Sequence, residues 1–207
     1  MMSKGIKYTI GIIIAGIVIY NSMYFSPLDK KLAEEHKIVF DANLFVNSIW
    51  EKELINVYDS ATDLTELIAM LNEDPELTFR DQANALGIGN IGYFRVKGEG
   101  TVMRVTENNV LLKVAGQIVE LETEFIFGNA VRDASGLVKV NDYDLTSDFN
   151  SISESINDRI RREVIPNFRA KVEEGNTVSF NGALELNKAH LNLSLPEVIP
   201  VSIQIIP

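Results

Sequence analysis

Gln117-Ile-Val-Glu-Leu-Glu-Thr-Glu-Phe-Ile-Phe127 decides the fold, because two kinds of side chain alternate along it. The odd-numbered positions from Val119 to Phe127 are apolar or carry threonine, and glutamates fall between them. Successive side chains of a strand point to opposite faces, so this pattern is typical of a sheet that is covered on one side. We therefore predict a strand over residues 117–127.

Five further segments have a similar two-residue period. They are Tyr93–Val96, Gly100–Thr106, Asn109–Val114, Thr177–Leu186 and Val198–Ile206. Short links join the first four strands in chain order, which predicts an antiparallel meander. Lys97-Gly98-Glu99-Gly100 has the composition of a phosphate-binding loop, but no helix follows it and Glu99 would repel a phosphate. We predict a tight turn or bulge there.

Other segments show the apolar spacing of helices. The first predicted helix is Ala42–Val57, after the N-cap Asp41, and a second begins after Asp63. A third runs from Pro75 to Leu86 and stops before Gly87. A fourth is predicted over Leu145–Phe168, and Pro166 marks its end. The sequence thus predicts an α+β fold with a small helical subdomain over residues 38–90 and a β domain over residues 91–207. A bent sheet of about five or six strands with an inserted helix at about 145–168 is typical of an OB-like antiparallel β-barrel.

Residues 1–28 contain two lysines followed by the apolar run Tyr8–Phe25. As a helix this run would be about 27 Å long, close to the thickness of a bilayer core. Because basic residues stay on the cytoplasmic side, we predict a single-pass anchor in the cytoplasmic membrane with the C-terminal domain extracytoplasmic. The alternative is a cleaved signal peptide, which is weaker because the best cleavage point, after Ser22, has bulky Tyr20 at the third-last position.

Acidic residues dominate the composition, with 29 acidic against 19 basic side chains and a net charge of −10. A surface this negative repels phosphate backbones, so the sequence predicts no nucleic-acid partner. The chain has no cysteine, which excludes both disulfides and a lipid-bearing cysteine. With 46% hydrophobic residues, the packed core can provide the stability of the external domain.

The sequence contains no recognisable catalytic set. His36 falls in the charged linker Ser26–Lys37 and His190 lies between predicted strands, and neither has an acidic partner at a catalytic spacing. The glutamates of the strand 117–127 lie about 7 Å apart along one face, whereas a cation needs oxygens about 2.4 Å from one centre. We expect no enzyme, no metal site and no cofactor.

Phe127-Gly-Asn-Ala-Val-Arg-Asp-Ala-Ser135 is the best candidate for a site, because polar residues directly follow the end of a strand. Asn129, Arg132 and Asp133 are the candidate ligand or partner contacts. The Arg132–Asp133 pair is open to two interpretations. It is either an internal ion pair that fixes the turn or a guanidinium fork presented to a carboxylate or a sugar hydroxyl.

Two helical residues complete the candidate set. Asn150 lies seven positions before Asn157 on one face of the predicted helix, and both are also suited to capping loop backbone. Trp50 is a candidate for stacking on a sugar ring, although its place in an apolar helical stripe favours the core.

Several short motifs occur in an order that resembles one bacterial family. They are Ile49-Trp50, Ala83-Asn-Ala-Leu-Gly87, Arg95-Val-Lys-Gly-Glu-Gly-Thr-Val102, Phe127-Gly-Asn-Ala-Val-Arg-Asp-Ala134 and Asp148-Phe-Asn150. Their order and spacing over residues 38–207 are similar to those of the predicted periplasmic lipoproteins grouped as domain of unknown function 2291.

This resemblance implies a helical subdomain joined to an OB-like β domain, and a link to sugar-type ABC transporters. It implies no established activity and no defined catalytic residues. Members carry a lipidated cysteine that this chain lacks, and Gly128-Asn129-Ala130 stands where Gly-Thr-Ala is usual. A spanning helix would then replace the lipid.

The leading hypothesis is a non-enzymatic, membrane-tethered accessory or binding module outside the cytoplasmic membrane. Its candidate partners are the membrane itself, a carbohydrate, and a sugar-type ABC transporter. The alternative is a structural envelope protein that docks another protein. A glycan hydrolase is the third hypothesis.

Overall fold

The computed structural model describes residues 4–22, 40–85, 87 and 89–206. The described residues fall into two compact units, which lie within Met1–Phe40 and Asp41–Pro207. In the first unit Lys4–Ser22 forms helix α1. None of the helices in the described ranges has both the length and the apolar character that crossing a membrane requires. The end of the predicted anchor and the whole linker Ser26–Lys37, with His36, lie outside the described residues.

The second unit begins with short helices that start at the predicted caps. They are α2 (Ala42–Ile49), the π-helical turn Trp50–Leu54, α3 (Ile55–Asp59), α4 (Leu64–Glu73) and α5 (Pro75–Gln82). The Asp41 carboxylate accepts hydrogen bonds from two backbone N–H groups of the first turn of α2, at 2.9 and 3.0 Å. Asp63 caps α4 in the same way. These bonds satisfy N–H groups that have no partner within the helix.

Helix α5 ends at Gln82, so its predicted extension to Leu86 is wrong for the residues that are described. Asn84 instead exchanges two backbone hydrogen bonds with Tyr93, both at 2.9 Å. This antiparallel bridge requires extended backbone at Asn84, which a continued helix could not provide. Leu86 itself lies outside the described residues.

The β domain is a closed barrel. Its strands are β2 (Ile91–Val105), β3 (Asn109–Val114), β4 (Gln117–Glu122), β5 (Thr177–Asn187) and β6 (Glu197–Ile206), preceded by the two-residue β1 (Thr62–Asp63). The order β2-β3-β4-β6-β5 closes because β5 also pairs with β2. The β4–β6 pair is parallel and the other barrel pairs are antiparallel. The predicted α+β fold with an OB-like barrel is therefore confirmed, with one parallel seam.

Strand β2 continues through Gly98 and Gly100, so the predicted turn or bulge at this point is wrong. A Cβ atom at Gly98 would lie 2.8 Å from the Phe180 ring, and one at Gly100 would lie 2.8 Å from the Lys113 carbonyl oxygen. The glycines therefore allow the close approach of neighbouring strands and ring packing inside a curved sheet.

Strand β4 ends at Glu122, five residues before its predicted end. The Thr123 N–H still donates to the Asn108 carbonyl oxygen at 3.1 Å, but no residue after it belongs to a strand until β5. The alternation then inverts. Ile126 is fully buried, whereas Phe125 and Phe127 are 57% and 63% exposed.

Three helices lie between β4 and β5. They are α6 (Ala130–Ser135), α7 (Thr146–Arg159) and α8 (Ile165–Arg169), with α7 and α8 joined by the π-helical turn Ile160–Val164. The long helix predicted over residues 145–168 is thus present, but it continues past Pro166. Proline lacks an N–H donor and collides with the preceding turn, and the wider π turn directly before it provides the space. The sequence did not predict α6.

The main core lies inside the barrel. Buried side chains from all five barrel strands meet there, among them Phe94, Leu112, Leu121, Phe180 and Val198. Leu67 and Leu71 of α4 belong to the same cluster, so α4 packs against the barrel. Helices α6 and α7 lie in the segment that links β4 to β5.

Carboxylates cluster where β4 and β6 pair in parallel. Burial, and then the charges of Glu120 and Glu197, raise the pKa of the half-buried Glu122 carboxyl above its ordinary 4.5. Among the described residues, none bonds its oxygen Oε2, which is buried. Folding therefore shifts the protonation equilibrium of Glu122 toward the neutral form.

We predict that Glu122→Gln raises the thermal midpoint at neutral pH. The folded state holds the Glu122 proton more tightly than the unfolded chain does. Protonation of Glu122 therefore stabilises the fold fully below about pH 4.5, and this stabilisation is lost as the pH rises through the raised pKa. The thermal midpoint of the variant, measured by circular dichroism, should therefore exceed that of the native chain at about pH 7 and equal it at about pH 4. Glu124→Gln, at an exposed position two residues on, is the control. A gain that is equal at both pH values would contradict the prediction.

Candidate functional site

Helix α6 is unusual because all six of its residues are buried. A helix this short leaves most of its end carbonyls without partners in the helix, and burial excludes water from them. Gly136 ends it in the left-handed conformation, with φ of 68°. Its remaining backbone groups therefore need partners from elsewhere in the protein.

Side chains from three other elements supply those partners. Tyr58 Oη donates to Val131 O at 2.8 Å, Asn84 Nδ2 to Ala134 O at 2.7 Å, and Arg95 Nη1 to Ser135 O at 3.1 Å. Burial raises the pKa of the Tyr58 phenol well above its ordinary range, so this group remains a donor. The helical subdomain and β2 together hold α6 in place.

The Arg132–Asp133 pair lies inside the protein. The Arg132 Nε and Asp133 Oδ1 atoms are 2.7 Å apart, and the two side chains are 2% and 1% exposed. Arg132 Nη1 also donates to Phe149 O at 2.9 Å, and its guanidinium lies 3.5 Å from the centre of the Phe149 ring. Asn129 donates to the other carboxylate oxygen of Asp133. Both charges therefore have partners within the fold.

A cavity of about 640 Å³ lies beside this pair, and we call it the α7 groove. Its walls are the segment 127–129, Arg132 of α6, and one face of α7 and the turn after it. The lining residues are Phe127, Gly128, Asn129, Arg132, Val140, Thr146, Phe149, Asn150, Ser153, Glu154, Asn157 and Arg161. The helical members recur every three or four positions, so they share one face.

Ser153 forms part of the groove wall and is 8% exposed. A serine within a helix commonly bonds the carbonyl three or four residues earlier. Ser48 and Ser151 do so, with Oγ–O distances of 2.7 Å in both cases. For Ser153 the carbonyls three and four residues earlier are those of Asn150 and Phe149, and the second of them accepts from Arg132. No described residue bonds the Ser153 hydroxyl.

The outer wall of the groove is a loop that side chains hold in place. Asn157 Nδ2 donates to the Gly128 carbonyl oxygen at 2.8 Å, and Arg161 donates to the Ile126 carbonyl oxygen. The Arg161 guanidinium also lies 5.4 Å from the centre of the exposed Phe127 ring. This fixes the ring of Phe127 at the rim of the groove.

The structure brings together most of the residues selected from the sequence. Asn129, Arg132 and Asn150 line the α7 groove, whereas Asp133 faces a second cavity of about 350 Å³. Trp50 does not belong to this site, because it is only 4% exposed. The Arg159 guanidinium lies over it, 4.6 Å from the centre of the Trp50 ring. No three His, Cys, Asp or Glu side chains in the described part of the chain are arranged to hold a metal ion.

Sequence reasoning missed Phe127, Ser153 and Glu154 as members of the site. Phe127 was assigned to the inner face of a strand that ends earlier. A polar row at positions 150, 153, 154 and 157 of the predicted helix is the signal that could have found the other two.

We predict that Asp133→Asn lowers the free energy of unfolding by about 3 to 5 kcal/mol, because it leaves a buried guanidinium without its carboxylate. The measurement is urea unfolding followed by circular dichroism. Asp81→Asn is the matched control. Arg80 and Asp81 are also consecutive in the sequence and their Nε and Oδ1 atoms are also 2.7 Å apart, but this ion pair is exposed. That control should leave the unfolding midpoint almost unchanged. Similar losses in the two variants would contradict the internal role of the buried pair.

Comparison with known proteins agrees with this architecture. The crystal structure of an OB-fold protein from Thermotoga maritima is similar with a TM-score of 0.72 and 26% identity, over 81% of this chain and 99% of that chain. The search of curated proteins gave no match. A family model described as predicted periplasmic lipoprotein (DUF2291) matches residues 13–204. The resemblance found in the sequence motifs is therefore confirmed, and the chain belongs to this family of predicted periplasmic lipoproteins.

Proposed function

We propose that this protein is a non-enzymatic, membrane-tethered binding module outside the cytoplasmic membrane. Its α7 groove binds a carbohydrate, and the module serves a sugar-type ABC transporter as an accessory. The observation that carries the binding function is the Ser153 hydroxyl, which is buried in the groove wall without a partner among the described residues. Buried polar groups are normally bonded, so an unbonded one at a cavity wall suits a ligand.

The composition of the groove favours a sugar. Its volume of about 640 Å³ falls in the usual range for small-ligand sites. Phe127 is exposed, and the exposed side chains of Asn150 and Glu154 add an amide and a carboxylate to the same groove. The Ser153 hydroxyl is buried in its wall. No described residue pairs with the Glu154 carboxylate, which is free to accept from hydroxyl groups. This carboxylate and the net charge of −10 disfavour an anionic ligand.

A binding role without catalysis fits the same groove. Glycoside hydrolysis ordinarily uses two carboxyl groups about 5 to 10 Å apart across the scissile bond. Of the described residues that line the groove, Glu154 alone carries a carboxylate. A hydrolase would lose turnover in Glu154→Gln while keeping its fold, and turnover of this kind would contradict our proposal.

For the tether we propose that the apolar run Tyr8–Phe25 crosses the membrane once. In the sequence this run continues past Ser22, where α1 ends, and no cysteine is present to carry a lipid. We expect the chain to remain in the membrane fraction after a high-salt wash. Release of a shortened, soluble chain from membranes would instead indicate a cleaved signal peptide.

The accessory role rests on the family resemblance. Crosslinking in intact cells should join the protein to a transporter subunit of the cytoplasmic membrane. Joining only to other envelope proteins would favour the second candidate function.

That second candidate is a structural protein that docks another protein. The observation in its favour is that Phe125 and Phe127 both expose more than half of their surface, within three residues of each other. Exposed apolar side chains in one patch are typical of interaction surfaces.

We predict that Ser153→Ala stabilises the ligand-free protein by about 1 kcal/mol, because it removes a buried hydroxyl that has no partner in the described structure. The same change should reduce the rise in thermal midpoint that a sugar produces. The measurement is a thermal-shift series on the full chain in mild detergent with glucose, galactose, mannose and xylose.

Ser48→Ala is the control for this prediction, because its hydroxyl is bonded within a helix and does not line the groove. It should leave the sugar-dependent shift unchanged. The proposal would be contradicted if Ser153→Ala lost stability, or if no sugar raised the thermal midpoint of the native chain.

Replacing each exposed phenylalanine separately distinguishes the two candidate functions. If Phe127 stacks on a sugar, Phe127→Ala should weaken sugar binding about tenfold, while Phe125→Ala leaves it unchanged because Phe125 does not line the groove. Isothermal titration of the full chain measures both. If the two residues form a docking patch, both variants should lose the same co-purifying partner and neither should alter sugar binding.

A further inference from the structure

The α7 groove adjoins a second cavity of about 310 Å³, which we call the side cavity. The two cavities share Glu154 and Arg161 in their walls. The side cavity is completed by Ala42 and Asn43 at the start of α2 and by polar positions of α7. The two cavities therefore lie side by side around α7, with Glu154 and Arg161 between them.

The helix sets the length of the α7 groove. Thr146 and Arg161 both line the α7 groove, and fifteen residues of helix extend about 22 Å. Ser151, Ser155 and Asp158 of the side cavity each follow a groove position by one residue, so they lie on the adjacent face. A ligand that crosses α7 at Glu154 can therefore contact both cavities.

The side cavity has the chemistry of a second polar subsite. It has no aromatic residue among its lining members, and small and polar side chains predominate. Ser155 Oγ donates to Asn43 Oδ1 at 2.7 Å, which orients the amide of Asn43. No described residue accepts from the Asn43 Nδ2 group. This amide and the Glu154 carboxylate offer a donor and an acceptor to hydroxyl groups.

From this adjacency we infer that the ligand is a chain of linked, uncharged sugar units rather than a single sugar. The first unit lies against Phe127 and Ser153 in the α7 groove. The next unit passes Glu154 and occupies the side cavity beside Asn43 and Ser155. The inference rests on the proposed function, because it names the class of ligand for the same site.

The test is a series of ligands of increasing length. Isothermal titration of the full chain in mild detergent uses glucose, maltose and maltotriose, and in parallel xylose, xylobiose and xylotriose. We expect affinity to rise at least about tenfold from one unit to two in the series that binds. A binding series with equal affinity at all lengths would overturn the inference and leave the proposed function intact. Silence of every sugar would instead contradict the proposed function.

A variant that fills the side cavity separates the two subsites. Ala42→Phe should reduce the affinity for the two- and three-unit sugars to that of the single sugar and leave the single sugar unchanged. Ala69→Phe is the matched control, because Ala69 is an exposed helical alanine that lines a different cavity. It should change neither affinity.

A second variant keeps the test valid if Ala42→Phe unfolds. Asn43→Ala alters an exposed side chain and removes the amide from the side cavity. It should weaken binding of the two-unit sugar about fivefold or more and leave the single sugar unchanged. Equal weakening of both sugars, or of neither, would overturn the inference.

Discussion

The buried helix α6 is the constraint on which the rest of the site depends. Its six residues lie away from water, so each carbonyl at its end must find a donor inside the protein. Tyr58, Asn84 and Arg95 provide these donors from the helical subdomain, the bridge after it, and β2. The helical subdomain is therefore more than a cover for the barrel, because its side chains complete the hydrogen bonding of a segment that lies far away in sequence.

The ion pair within α6 connects this constraint to the groove. Arg132 has its charge balanced by Asp133, and its Nη1 donates to the Phe149 carbonyl of α7. Burying a guanidinium is unfavourable unless such partners are present, so the bond to Phe149 is part of what keeps Arg132 inside. Arg132 thereby connects α6 to the helix that carries the Ser153 hydroxyl, which is buried in the groove wall without a partner among the described residues.

Local signals predicted much of this architecture, and long-range contacts account for what they missed. Asp41 and Asp63 start helices as their sequence indicates, because capping depends only on residues within one turn. Helix α6 was missed because a six-residue segment has no periodicity to detect, and its partners come from distant positions. Asn150 was found as a polar residue on a helix, but whether the Ser153 hydroxyl has a partner depends on the three-dimensional packing around it, which no spacing rule describes.

The position of Phe127 follows from the way the chain leaves the sheet. The alternation of residues 117–127 suggested a strand that places this ring inward. Instead β4 ends at Glu122, and β6 pairs in parallel with only the last part of β4. Beyond that point no strand pairing holds the backbone, and Asn157 and Arg161 bond its carbonyls instead. These bonds come from α7 and the turn after it, so they also set the distance between the Phe127 ring and the polar face of α7. The groove is therefore shaped by the same side chains that replace the missing strand pairing.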